Sequence, residues 1–60
     1  MIFHLCRSGS SVTWIVLVEG QPYGDYLDRD QAVMDAIDAA QEAREIGGAA
    51  EVWEGAIRVY

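Results

Sequence analysis

The sequence predicts one small α+β domain over residues 1–60: an antiparallel sheet of three to five strands with one helix packed on one face, in the order β-β-(β)-α-β-(β). Three observations lead there. One segment, and only one, combines helical apolar spacing with stop signals at both ends. Short runs rich in β-branched and aromatic residues flank it on both sides. The chain is 52% hydrophobic, above a disordered composition, yet its 60 residues leave room for one core only. A single helix across a single sheet is the layer arrangement that hides both apolar surfaces.

Phe3–Cys6 reads as a short first strand, and Ser8-Gly9-Ser10-Ser11 as the turn after it. Thr13–Glu19 is the strongest strand signal in the chain, with Trp14, Ile15, Val16 and Val18 all good strand formers. Gly20-Gln21-Pro22 ends it. Tyr23–Leu27 is a possible third strand, and Gly24 and Asp25 mark it as an edge or irregular one.

Asp28 is the expected N-cap of the helix, with Gln31 at the spacing of a capping box and Asp30 adding charge where the dipole is positive. The body Ala32–Ile46 is built mostly of strong helix formers. Val33, Ala36, Ile37, Ala40, Ala43 and Gly47 form one stripe; Gln31, Asp35, Asp38, Glu42 and Glu45 fall opposite. Gly47-Gly48 supplies the stop. Ala50–Trp53 then reads as a strand, Glu54-Gly55 as a turn, and Ala56–Tyr60 as a last strand or the bent end of the previous one.

The stretch Trp14–Val18 is apolar on both faces, where a half-solvated antiparallel strand would alternate. The helix is expected on the Trp14/Val16/Val18 side, with Phe3, Leu5, Val52, Ile57 and Val59 completing the core. Ile15, Leu17, Trp53, Arg58 and Tyr60 are left for the other face, a mixture of aromatics, Arg and aliphatics of the kind that interface cores favour.

Charge excludes some partners. Ten Asp and Glu against four Arg give a net charge of −6 with no Lys, which argues against nucleic-acid phosphates and anionic membranes. The longest apolar run, Trp14–Val18, is five residues, far short of the roughly 20 of a spanning helix. Met1–Cys6 is too short for a secretory apolar segment, and an unpaired Cys6 suits a reducing compartment, so a cytoplasmic location is expected.

Signs of catalysis are sparse. His4 and Cys6, two apart on a strand, share a face, but a nucleophilic Cys needs a base with an orienting group and zinc needs three or four ligands. Asp25, Asp28 and Asp30 lack the longer ligand series of a calcium loop. The scattered glycines form no phosphate-binding motif. No catalytic, cofactor or metal residue is expected.

Trp14-Ile15-Val16, Glu19-Gly20, the Asp28 cap, the alanine-spaced helix Ala32/Ala36/Ala40/Ala43, the Gly47-Gly48 stop and Ala50-Glu51-Val52 together resemble the small bacterial family called domain of unknown function 2188. The likeness runs from about Thr13 to Tyr60 and implies a fold without an activity. A second likeness, in size, acidity and strands-then-helix order, is to HicB-type antitoxins, although Tyr26–Asp30 lacks the prolines of their turn. The expectation is a non-enzymatic, homo-oligomeric protein-interaction module, most simply a homodimer; the alternative is an acidic antitoxin- or inhibitor-like regulator of a basic protein.

Overall fold

A computed structural model describes residues 1–7, 9 and 13–60. Its elements are β1 (Ile2–Arg7), β2 (Trp14–Val18), β3 (Gln21–Tyr26), α1 (Arg29–Glu45), β4 (Glu51–Glu54) and β5 (Ile57–Arg58). The fold is the α+β arrangement of one helix against one sheet, with strand order β3-β2-β1-β4-β5. The turn expected at Ser8-Gly9-Ser10-Ser11 lies, apart from Gly9, outside the described residues.

The sheet is mixed rather than wholly antiparallel: β1 pairs antiparallel with β2 but parallel with β4, Phe3 opposite Val52 and His4 opposite Trp53. The helix is the reason. Its 17 residues rise about 25 Å and return the chain along the sheet, so β4 sets out in the same direction as β3 and β1.

The β2–β3 connection is a two-residue turn at Glu19 and Gly20, whose φ values of 52° and 83° are the positive pair a type I′ hairpin needs. The third strand therefore starts at Gln21, earlier than Tyr23, and takes in Pro22. An edge strand tolerates a residue without an N–H. Tyr23 is the extra residue of a bulge, since Val16 faces Gly24 while Leu17 faces Pro22. The bulge turns Tyr23 to the helix side, where its ring meets Phe3 edge-on at 5.8 Å.

Asp28 caps α1 as expected, accepting from the Asp30 amide at 2.9 Å. The reciprocal half of a capping box is not made: the Gln31 side chain donates to Asp35 instead. At the other end the Gly48 amide reaches the Ala43 carbonyl at 2.9 Å and the Gly47 amide the Arg44 carbonyl at 3.0 Å, the two bonds of a Schellman stop, with Gly47 at φ 93°. Gly47 thus lies beyond the helix rather than on its apolar stripe.

The core is Phe3, Leu5, Val16, Val52 and Ala50 under Ala32, Ala36 and Ala40 of the helix. Val33, Ile37 and Ala43 pack along its margins, so the buried stripe is centred one column over, on Ala32. The helix covers the Trp14/Val16/Val18 side of β2, as the sequence indicates. Ile57 departs from expectation at 68% exposed, because two-residue β5 lies past the flank of the helix.

Candidate functional site

Among the described residues, no helix or loop packs on the face of the sheet away from α1. Register assembles it from parts remote in sequence. Leu17 faces Pro22 on one side and His4 on the other; His4 faces Trp53; Trp53 faces Arg58. These five residues form one row across all five strands, from Pro22 on β3 to Arg58 on β5. A row to one side holds Asp25, Ile15 and Cys6, and a row to the other begins with Ile2 opposite Glu51.

Ile15, Leu17 and Trp53 are half-buried, Ile2 is 39% exposed, and His4, Cys6 and Arg58 are exposed. Four of the five residues expected on this face, Ile15, Leu17, Trp53 and Arg58, stand on it together. Tyr60 does not. The Val59 and Tyr60 amides both donate to the Val52 carbonyl, at 2.8 and 3.2 Å, which is the signature of a β-bulge. The bulge breaks the period of two and sends Tyr60 to the helix side, where the Arg44 guanidinium lies 4.4 Å from its ring centroid. Arg44 also donates twice to the Ala50 carbonyl, tying the helix end to the chain entering β4.

Polar groups set the face in order. Trp53 Nε1 donates to Glu51 Oε1 at 2.7 Å. That bond, with a lesser pull from Arg58, outweighs desolvation and holds the Glu51 carboxyl below its ordinary range. With its only donor satisfied inside the chain, the indole can enter an apolar contact without stranding an N–H. Glu19 Oε1 accepts from the Ile2 amide at 3.1 Å and fixes the end of the β1–β2 pair.

Between β1 and β2 the face sinks into an open depression of about 290 Å³, lined by Ile2, His4, Leu17, Glu19 and Gly20. His4 and Cys6 do share this face, and Cys6 Sγ makes one weak contact, 3.8 Å, to the Ile15 carbonyl. Among the described residues no group of three His, Cys, Asp or Glu is placed to hold a metal ion, and no helix is long and apolar enough to cross a membrane.

Sequence reasoning passed over Ile2, His4 and Glu51 as members of this face. The signal was present in β1, where Phe3 and Leu5 point inward and Ile2, His4 and Cys6 therefore point out. What it lacked was the strand order that sets Ile2 and His4 at the centre of the sheet. No protein-family profile, curated protein or solved structure matches the chain.

Proposed function

We propose that this chain is a non-enzymatic, homo-oligomeric protein-interaction module, most simply a dimer, that associates through the uncovered face of its sheet. One observation carries the reading: Ile15 and Leu17 project from β2 on the side with no helix, beside Trp53 and Ile2. An antiparallel strand with one face in water ordinarily alternates apolar and polar residues. Apolar residues gathered on such a face, rimmed by charges such as Asp25 and Arg58, mark a contact surface.

The edges of the sheet are poor alternatives. β3 carries Pro22, a bulge and Asp25, and β5 has two residues. These are devices that discourage strand-to-strand addition. Fully burying a large apolar side chain contributes about 1.5–3 kcal/mol. Association costs about 4–15 kcal/mol in lost freedom. Terms of similar size require several residues from each copy, and Ile2, Ile15, Leu17 and Trp53 are available. The resemblance to domain of unknown function 2188, a bacterial family without an assigned activity, agrees with a module of this kind. An unpaired Cys6 agrees with a cytoplasmic setting.

Sedimentation equilibrium tests the proposal. The wild-type chain is expected at twice 6.6 kDa at micromolar concentration. Leu17→Glu is expected to shift it toward the monomer and to lower its stability, since folding and assembly are linked by mass action. A wild-type mass of 6.6 kDa at every concentration would refute it.

A second reading has its own observation. Asp38, Glu42 and Glu45 are exposed along the outer face of α1, beside exposed Met34. This acidic surface suits a regulator that binds a basic protein. A stoichiometric basic partner retained from the native host, and lost on changing Asp38, Glu42 and Glu45 to Ser, would favour it over self-association.

A further inference from the structure

We infer that Arg58 of each copy seats in the depression of the other, with its guanidinium against Glu19 and its stem along Ile2 and Leu17. The inference rests on the homodimer proposed above and specifies how that dimer is joined. Two features of one face call for each other. The depression has aliphatic walls, Ile2 and Leu17, with a carboxylate, Glu19, at its rim, 3.8 Å from the chain's own N-terminal ammonium and exposed enough to take a second cation. Arg58 is the one cationic side chain placed on this face among the described residues, and it makes no ion pair there. Its Nε donates to the Tyr60 carbonyl at 3.0 Å, which orients the guanidinium and leaves its two Nη groups to face a partner. An Arg lays its methylenes on apolar surface while its head group pairs with a carboxylate.

The geometry is compatible with a closed two-fold dimer. Strands are about 4.8 Å apart, so Arg58 on β5 stands about 12 Å from the middle of the β1–β2 gap. A two-fold axis parallel to the strands, between β1 and β4, exchanges the two positions. It sets two sheets face to face in the aligned manner, about 10 Å apart. Trp53 of one copy then lies between the β1 and β4 columns of the other, close to His4 and Trp53.

A charge-reversal cycle in the full chain tests this. Glu19→Gln keeps an acceptor for the Ile2 amide and removes the charge; Arg58→Gln removes the other. Each is expected to weaken the dimer about three- to thirty-fold by sedimentation equilibrium, the loss of two symmetric pairs. Arg58→Glu combined with Glu19→Arg is expected to recover most of what either reversal loses alone. Circular dichroism of every variant checks that the fold persists. A dimer that persists with unchanged affinity in both Gln variants, or that tightens in either, overturns the Arg58–Glu19 contact while leaving the dimer in place. Failure of the folded double reversal to regain affinity does so as well. A wild-type chain that is monomeric throughout overturns the dimer, and this contact with it.

Discussion

Arg29 and Glu54 join the start of α1 to the end of β4 through two parallel hydrogen bonds, Nε to Oε2 at 2.8 Å and Nη2 to Oε1. This forked pair is one of two polar ties between the helix and the half of the sheet that follows it, the other being Arg44 on the Ala50 carbonyl. The hydrogen bond from Arg29, and then its charge, hold the Glu54 carboxyl below its ordinary value of 4.5 against some desolvation. A carboxyl depressed in the folded state stabilises the fold above its unfolded value, and that contribution is lost as pH falls through the folded value. Glu54→Gln is therefore expected to lower the urea midpoint at neutral pH. The gap between the two proteins should close as the pH drops below about 4.5. An equal gap at neutral and strongly acid pH would show that the charge of Glu54 does not matter.

Asp28→Ala is expected to cost about 0.5–2 kcal/mol, the range for losing an N-cap. The Asp28 carboxylate accepts from the Asp30 amide, one of four that the first turn cannot satisfy within the helix. Because Gln31 bonds Asp35 rather than closing a box, Gln31→Ala should cost much less than Asp28→Ala. Urea midpoints of the two variants check the order; equal losses would restore the box.

Much of this architecture is legible in the residues, and what is not has a physical cause. The Asp28 cap, the Gly47-Gly48 stop and the double apolar character of Trp14–Val18 are local signals, and local chemistry decides them. The parallel β1–β4 pairing is not local. It follows from counting traverses, because a 17-residue helix returns the chain the length of the sheet before β4 begins. Tyr60 was misplaced because alternation assumes an unbroken ladder, and the doubled amides on the Val52 carbonyl break it within the last two residues. The depression depends on strand order as well. Ile2 and Glu19 line one hollow only because β1 lies beside β2 and the Glu19 carboxylate turns back to the Ile2 amide.

Tyr26 gives a separate reporter of helix docking. Burial first, then a hydrogen bond to Asp35 and its charge, push the Tyr26 hydroxyl from 10.0 up to about 12. A group whose value is raised on folding stabilises the fold fully below its unfolded value and loses that contribution as pH rises through the folded one. Stability should therefore fall from about pH 10 upward. In a titration of phenolate absorbance, the step that Tyr26→Phe removes is expected near pH 12. Asp35→Asn should bring that step down. A Tyr26 step near pH 10 in the folded protein, unmoved by Asp35→Asn, would show that the Tyr26–Asp35 contact is not made.

The distance between helix and sheet is set by three alanines, and the last prediction concerns it. Ala32, Ala36 and Ala40 are fully buried against Phe3, Leu5, Val16 and Val52, and Phe3, Val16 and Val52 are the largest side chains shut away from solvent. Small residues on the helix let large ones on the sheet fill the space between layers. A larger side chain at Ala36 has nowhere to go without lifting the helix off Val16. Ala36→Leu is therefore expected to destabilise by about 1–3 kcal/mol, the range for overpacking, although it adds apolar surface and keeps helix propensity. The opposite change, Phe3→Ala, should cost about 3–5 kcal/mol through the cavity it leaves. Gln41→Leu, on an exposed helical position next to Ala40, is the control and should stay within about 0.5 kcal/mol. Urea denaturation of the three variants at one protein concentration separates packing from association. If Ala36→Leu matched Gln41→Leu, the layers would have room that close packing denies them, and the alanine stripe would not be what sets their spacing.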